Sequence, residues 1–281
     1  MGDHFSAFSF VDRITEVQPG RRALGRFSIP DRLAEFPSCL VAEALGQLAA
    51  WAAMAAVAFQ RRPVAGLAGR VEFSGAVRPG QTLDLAAELE SCDRDAVAYR
   101  GWASVEGSPV LQLSQCVGPM LPMEEFDDPR AIQDQFGLLC GAGATPGRFP
   151  GLTIPELLLA QASPSGGLRA ALQIPVSAPF FADHFPRRPV FPGSLLLDAK
   201  MRLAAALAGR ILPPVERNPP GFSHMSDAKF RAFLSPGQTV ELDARLLAQA
   251  GGRSATVVIA ARSNGKQVAG ARVALLPQEG T

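Results

Sequence analysis

The chain has 281 residues, enough for one large domain or for two of roughly 140 residues each. Lysine and arginine total 27 against 26 acidic residues, so the net charge is +1, and neither nucleic acid nor a membrane surface is expected to bind through bulk charge. The four cysteines are widely spaced and have no histidine at ligand spacing, so no disulfide framework, metal site or cofactor is predicted. The start of the chain lacks the pattern of a secretory signal, and a cytoplasmic location is expected.

Two elements are predicted near the start of the chain. Residues 8–30, FSFVDRITEVQPGRRALGRFSIP, alternate apolar and polar side chains on either side of a Pro-Gly turn, which predicts a β-hairpin. Residues 39–59, CLVAEALGQLAAWAAMAAVAF, are apolar and long enough to span a bilayer. Glu43 and Gln47 lie inside this segment, and alanine both favours helix and packs closely on a sheet, so a buried core helix is favoured over a membrane span.

The order of predicted elements is repeated in the second half of the chain. RPGQTLDL at 78–85 returns as SPGQTVEL at 235–242, and EFPSCLVAEA, which begins at residue 35, aligns with VFPGSLLLDA at a shift of 155 positions. Repetition of this kind indicates two copies of one structural unit. The predicted domains are a first unit at 1–118, a linker at 119–150 and a second unit at 151–281.

Each predicted unit consists of a hairpin, one long apolar helix and at least three antiparallel strands. Such a sheet has an apolar face that must be covered, and a single alanine-rich helix in its concavity would cover it. The sequence therefore predicts an α+β double hotdog, in which two fused hotdog units each wrap an antiparallel sheet around a long central helix. The two sheets are expected to pair into one continuous sheet.

The segment FFADHFPRRPVFPGSLLLDA at 180–199 leads into the second predicted central helix. It resembles the active-site segment of the 3-hydroxyacyl-[acyl-carrier-protein] dehydratases of the FabZ and FabA type, whose pattern is F-x-G-H-F-P-x-x-P-V-x-P-G-x-L-x-x-(E/D)-A. Asp183 replaces the glycine that usually precedes the histidine. FSFVDRITEVQPG and VAEALGQ are also similar to the first strand and the helix of that family. The residues that match the pattern are His184, Phe185, Pro186, Pro189, Val190, Pro192, Gly193, Leu195, Asp198 and Ala199.

Dehydration of a 3-hydroxyacyl thioester needs a base at the α-carbon, a donor to the thioester oxygen and an acid at the hydroxyl. His184 suits the base because the ordinary pKa of histidine, about 6.5, lies near working pH. The backbone N–H of Gly193, at a predicted helix start, suits the oxyanion because the helix dipole favours negative charge there. The acid is expected in an apolar helix, where desolvation favours a protonated carboxyl, and LVAEALG and LLLDAKM each supply one.

The resemblance implies which acid serves, because in that family the histidine of one hotdog faces the acid on the helix of its partner. His184 would then face Glu43, and Asp198 would face a second, pseudo-site. The first copy has no His-Phe-Pro segment, and Ser38 stands where the second copy has Gly193. One working site per chain is therefore predicted.

Further side chains are predicted to contact the substrate, each with a structural alternative. Gln47, one turn after Glu43, matches the family's E-A-x-x-Q and is expected either to orient the acid or to bond a backbone carbonyl. Arg187 and Arg188 are expected to bind an acidic carrier protein or the phosphates of coenzyme A. The alternative is that they form a solvated face. The loop residues expected to line an acyl pocket, with core packing as the alternative, are Phe181, Phe185, Phe191 and Pro192.

These features predict a dehydratase that converts 3-hydroxyacyl thioesters of acyl carrier protein or coenzyme A into trans-2-enoyl thioesters, in fatty acid or polyketide-type synthesis. A hotdog acyl-thioesterase and a non-catalytic acyl-thioester-binding protein are the alternatives. His4 and His224 have no constellation around them and are expected to be structural. A monomeric pseudo-dimer is expected because both parts of the site lie on one chain, and the sequence leaves higher oligomers open.

Overall fold

The computed structural model describes residues 4–162, 166–212, 221–250 and 254–276. Within these ranges the chain forms a sheet of 13 strands, three α-helices and two short 3-10 helices.

The elements follow the predicted repeat. The first half contains β1 (Arg13–Gln18), β2 (Arg22–Ser28), α1 (Ser38–Ala56), β3 (Arg61–Pro63), β4 (Leu67–Phe73), β5 (Thr82–Cys92), β6 (Ala96–Val105) and β7 (Ser108–Pro122). The connection contains a 3-10 helix (Met123–Glu125) and α2 (Pro129–Cys140). The second half contains β8 (Leu157–Ala162), β9 (Leu168–Gln173), a 3-10 helix (Pro179–Ala182), α3 (Gly193–Ile211), β10 (Gly221–Phe230), β11 (Thr239–Ala250), β12 (Ser254–Ser263) and β13 (Lys266–Leu276).

The two halves have equivalent strand orders that meet at the centre of one sheet. The order is β1-β2-β5-β6-β7-β4-β10-β13-β12-β11-β9-β8, and β3 pairs with β7 off this path. β4 and β10 are antiparallel neighbours at the centre, where Val71 lies opposite Met225 and Ala68 lies opposite Ala228. The continuous sheet and the two hairpin-helix-strand units confirm the predicted α+β double hotdog.

The long helices α1 and α3 form the core of the two units. α1 packs on β2, β5 and β6, α3 packs on β9, β11 and β12, and the two helices contact each other. Ala44, Leu45 and Leu48 of α1 are fully buried, and burial of a leucine side chain contributes about 1.5–3 kcal/mol. α1 ends where Ala58 and Phe59 adopt positive φ, a conformation that cannot continue a right-handed helix.

α1 is the one helix in the described part of the chain that is long and apolar enough to cross a membrane. Eleven of its 19 residues are buried within the protein, including positions along its full length. Its apolar composition is therefore used in the core of the first unit, as the sequence predicted.

The connection between the units packs closely on the first of them. β7 continues to Pro122, so the predicted boundary at residue 118 falls inside a strand. Asp128 caps α2 by accepting hydrogen bonds from the N–H groups of the two residues that follow Pro129. The ring of Phe136 lies 6.1 Å from Trp51 and 5.2 Å from Phe59, which fixes α2 against the end of α1.

Lys200, in the middle of α3, is a charged residue buried in the core of the second unit. Its side chain is 0% exposed and its Nζ has no hydrogen-bond partner. The Nζ atom lies 5.4 Å from the centre of the Phe230 ring. Burial lowers the pKa of Lys200 from 10.5 to about 7, because the ammonium group loses its hydration without gaining a counter-charge.

Candidate active site

A cavity of about 220 Å³ lies where the two halves of the protein meet. The first half contributes Glu43 and Gln47 of α1 to its wall, and the second half contributes His184 and Gly193, before and at the start of α3. These four predicted site residues therefore share one cavity, although they come from distant parts of the chain.

His184 is held in a defined orientation by the loop that carries it. Its backbone N–H donates to the carbonyl of Phe180 at 2.9 Å, and its own carbonyl accepts from the N–H of Val190 at 2.9 Å. The side-chain Nδ1 lies 2.9 Å from the carbonyl oxygen of Val190. Because a carbonyl only accepts, Nδ1 carries a proton and donates it, which leaves the lone pair of Nε2 free in the neutral ring.

The charge state of His184 follows from its surroundings. Burial lowers the pKa of His184 below its ordinary value. The nearby carboxylate of Glu43 opposes this effect, and the positive charge of Arg62 adds to it. A lowered pKa keeps the imidazole neutral at pH 7, which is the form that can accept a proton.

Glu43 is oriented by an amide one helical turn away. Gln47 Nε2 donates to Glu43 Oε1 at 3.0 Å and to the carbonyl of Phe8 at 2.9 Å. The N–H of Phe10 donates to Gln47 Oε1 at 2.8 Å. These backbone bonds fix which end of the Gln47 amide is the donor. Glu43 Oε1 therefore acts as the acceptor in this bond, and Gln47 fixes the orientation of the carboxyl group.

Gly193 is the first residue of α3, where backbone N–H groups have no intrahelical acceptor. A Cβ atom at this position would lie 3.0 Å from Cε1 of Phe230, whose ring lines the same cavity. A side chain at position 193 would therefore press on the Phe230 ring, and the absence of one leaves room for a group to approach the N–H.

The predicted apolar contacts are only partly in the cavity wall. Phe185 and Phe191 line the cavity. Phe181 and Pro192 are not among the lining residues, which corrects the expectation for these two. Phe181 packs in the core with its ring 4.5 Å from that of Phe180, and Pro192 forms the N-cap of α3. Both correspond to the structural alternative for an apolar loop residue.

Arg187 and Arg188 contact the connection between the units and do not line the cavity. Arg187 Nη2 lies 3.0 Å from Asp128 Oδ2, and Arg188 Nη1 lies 2.8 Å from Glu125 Oε2. The guanidinium of Arg188 also stacks on Phe233 at 4.7 Å. Acidic side chains of the same molecule therefore already match both charges, and a carrier would have to compete with them.

Asp198 lies in α3 and is not among the residues that line the cavity. Its Oδ2 accepts a hydrogen bond of 2.7 Å from Arg202 Nε, and Arg202 also donates to the carbonyl of Pro155. Burial raises the pKa of Asp198, and the positive charge of Arg202 opposes the rise. The predicted pseudo-site thus has an acid engaged in a local ion pair.

The sequence did not predict how the apolar part of the cavity is built. Small residues recur on one face of α1 at helical spacing, and this spacing could have indicated which face of the helix borders a cavity. Residues of α2 form another part of the cavity wall, and the position of α2 depends on tertiary packing. The α1 residues in the wall besides Glu43 and Gln47 are Ala42, Gly46, Ala49, Ala50, Trp51 and Met54, and those of α2 are Ile132, Gln135 and Leu139.

A charged cluster that the sequence does not predict lies beside His184 and includes His4. His4 Nδ1 lies 3.2 Å from Asp183 Oδ1, and Nε2 lies 3.3 Å from Asp127 Oδ1. Burial lowers the pKa of His4, but hydrogen bonds to the two carboxylates outweigh it and raise the pKa to about 9. Arg62 lies 3.6 Å from Asp127 and stacks over Phe185 at 4.3 Å. All of these side chains line the cavity.

His224 does not line the cavity: it lies on β10 opposite Glu72, with its Nδ1 3.3 Å from Ser223 Oγ. Within the described ranges, no group of three or more histidine, cysteine, aspartate or glutamate side chains could hold a metal ion.

The fold and the cavity define a double hotdog protein with a His-Phe-Pro loop in one unit and a helical acid in the other. Residues 160–269 match the family described as ApeI-like, ApeI dehydratase. The 3-hydroxyacyl-[acyl-carrier-protein] dehydratase FabZ of Rickettsia rickettsii (strain Sheila Smith) is 32% identical over 99 residues, which cover 35% of this chain and 67% of the relative. The FabZ of Shewanella baltica (strain OS155) is 32% identical over 106 residues, covering 36% and 67%. The chain belongs to the FabZ family.

Solved structures with the same overall fold are similar along nearly the full chain. An acyl-ACP thioesterase from Bacteroides thetaiotaomicron has a TM-score of 0.55 at 11% identity and covers 90% of this chain and 97% of its own. The 12:0-ACP thioesterase from Umbellularia californica has a TM-score of 0.54 at 9% identity, with coverage of 92% and 94%. At this identity the likeness concerns the double hotdog fold alone.

Proposed function

We propose that the protein is a dehydratase that removes water from 3-hydroxyacyl thioesters and forms trans-2-enoyl thioesters. The observation that carries the proposal is the shared cavity, which brings His184 of one unit and Glu43 of the other to a common space. Membership of the FabZ family supports the same reaction.

His184 is the base in the proposed reaction. Its Nε2 takes a proton from the α-carbon of the substrate, and the electron pair of that C–H bond moves toward the thioester carbonyl. The carbonyl oxygen gains negative charge, and the N–H of Gly193 at the start of α3 stabilises it together with the positive end of the helix dipole. The bond from Nδ1 to Val190 keeps the ring in the tautomer that this step needs.

Glu43 is the acid. Its protonated Oε2 delivers a proton to the 3-hydroxyl, the C3–O bond breaks, and water leaves as the double bond forms between C2 and C3. Gln47 holds Oε1 and so directs Oε2 to the cavity. After turnover His184 carries one extra proton and Glu43 lacks one, and transfer through the cavity returns both to their starting states.

The acyl tail is proposed to lie along the small residues of α1. From Glu43 to Met54 the helix rises about 16 Å at about 1.5 Å per residue, which suits a medium or long chain. The proposal includes either acyl carrier protein or coenzyme A as the thiol, needs no cofactor, and keeps the site within one chain in the cytoplasm. Oligomers beyond the pseudo-dimer are not required for it.

The reverse reaction gives the most direct test. Hydration of 2-enoyl thioesters of both carriers, short and long, is followed by the loss of ultraviolet absorbance. Wild type is expected to hydrate them, and His184→Ala and Glu43→Gln are expected to reduce kcat/KM by about 10²–10⁴-fold. Asp198→Asn, an acid of the other central helix, is the matched control and should retain activity.

The same reactions separate the alternatives. Free thiol released from acyl thioesters, without hydration, would identify a thioesterase. Tight binding of acyl thioesters with neither hydration nor thiol release would identify a binding protein. Either outcome would refute the dehydratase.

A further inference from the structure

The residue before the catalytic loop histidine ties that loop to the start of the chain. Asp183 is 7% exposed and stands where the FabZ pattern has glycine. Its Oδ1 accepts from the N–H of Phe5 and lies 3.2 Å from Nδ1 of His4. Its Oδ2 accepts from the N–H of Phe8 at 2.7 Å and from Ser9 Oγ at 3.0 Å. One buried carboxylate therefore organises the turn formed by residues 4–9.

The same turn, which belongs to the first unit, also contacts the side chains that orient Glu43. The carbonyl of Phe8 accepts a hydrogen bond from Gln47 Nε2, and the N–H of Phe10 donates to Gln47 Oε1. Gln47 in turn donates to Glu43. The ring of Phe8 meets the imidazole of His184 edge to face, with the ring centres 5.7 Å apart. A continuous set of contacts thus runs from the loop of His184, through the turn, to Glu43.

We propose that residues 4–9 form a clasp that holds the base and the acid of the two units in register, and that Asp183 is the positioning residue that closes it. This inference rests on the proposed function, since the register that it sets is that of His184 and Glu43. The N-terminal clasp depends on the aspartate of this chain, because a glycine at position 183 has no side-chain acceptor for the four donors of the turn.

His4 adds charge to the clasp. Nδ1 of His4 bonds Asp183 and Nε2 lies 3.3 Å from Asp127, and the two carboxylates raise the pKa of His4 to about 9, which favours the positive ring. Asp127 comes from the connection between the units, and Arg62 of β3 lies beside it. The clasp is therefore fixed to the loop of the second unit and to the connecting segment at the same time.

Opening of the clasp would affect His184 in a specific way. Phe8 covers one side of the imidazole, and burial is the main reason that the pKa of His184 is low. If the turn is released, water reaches the ring and the pKa of His184 rises toward its ordinary value near 6.5. The pKa of His4 falls from about 9 toward the same value as it loses Asp183.

The experiment compares wild type with Asp183→Asn and Asp183→Gly. The chain has three histidines, so their imidazole signals can be followed separately by NMR across pH. Asp93→Asn is the matched control, because Asp93 also accepts two backbone N–H bonds in a turn, at 2.7 and 2.9 Å, but lies outside the cavity wall. Both Asp183 variants are expected to lower the pKa of His4 and raise that of His184, whereas the control changes neither.

Kinetics supply the second measurement. The two variants are expected to lower kcat for hydration by about 10- to 100-fold with KM changed less than threefold, because a small displacement of the reacting groups affects chemistry more than binding. Asp183→Asn keeps one oxygen acceptor and should lose less activity than Asp183→Gly. If Asp183→Gly does not fold, Asp183→Asn carries the test.

An unchanged His184 titration together with wild-type kcat in the Asp183 variants would overturn the clasp. If the wild type hydrates no enoyl thioester, the proposed function fails instead. The clasp proposal is then tested by the imidazole titrations and by hydrogen exchange of the Phe5 and Phe8 amides in wild type and the Asp183 variants, since these measurements need no substrate.

Discussion

Replacement of the buried Lys200 by methionine is expected to stabilise the protein strongly. In the folded state the pKa of Lys200 is about 7, against 10.5 for an exposed lysine. At about 1.4 kcal/mol for each pH unit, burial of the ammonium group costs about 5 kcal/mol below pH 7. The cost declines between pH 7 and pH 10.5, where the unfolded chain still holds the proton and the folded chain has released it. Stability therefore rises with pH across this window.

Methionine has a similar length and no charge, so Lys200→Met should remove this cost. We expect its free energy of unfolding to exceed that of wild type by about 4 kcal/mol at pH 7 and by much less at pH 10, since the native amine is then mostly neutral. Guanidinium unfolding followed by tryptophan fluorescence measures the difference at each pH. The control is Lys266→Met, because Lys266 is exposed at the start of β13. Equal stability of wild type and Lys200→Met, or a difference independent of pH, would refute the reasoning.

Three further outcomes are expected. The acid limb of the pH profile of kcat/KM should lie below pH 6.5, because burial lowers the pKa of His184, and a limb above that value would contradict the assignment. Gly193→Ala should reduce kcat at least tenfold, because the added Cβ meets the Phe230 ring at 3.0 Å, and steady-state hydration kinetics measure this. Ala50→Phe should lower the rate with long acyl chains at least tenfold more than with short ones, because position 50 lines the cavity, whereas Ala205→Phe at the equivalent position of α3 should not discriminate between them.

The repeat and the His-Phe-Pro loop made much of the fold predictable from the sequence. Hairpin alternation and the alanine-rich segments are local patterns, and they determined β1, β2, α1 and α3 directly. The approach of His184 to the cavity of Glu43 was predictable only through the family resemblance, because nothing in the local sequence joins positions 141 apart.

The parts that were missed depend on tertiary packing. Arg187 pairs with Asp128 because the connection folds back across the loop, and charge alone does not reveal a partner 59 positions away. Phe181 and Phe185 are equally apolar, yet only Phe185 faces the cavity. The contacts of Asp183 could not be predicted for the same reason, since its donors lie 174 to 179 positions earlier in the chain.

The two units lie on one chain and pair through β4 and β10, and this arrangement has an evolutionary consequence. In a symmetric homodimer any substitution appears twice, so both reaction centres must change together. A single polypeptide removes that constraint: the first copy has no His-Phe-Pro segment, while its helix supplies Glu43 and several small residues to the cavity wall. Each repeat therefore supplies a different part of one cavity, and a substitution in one repeat is not copied into the other.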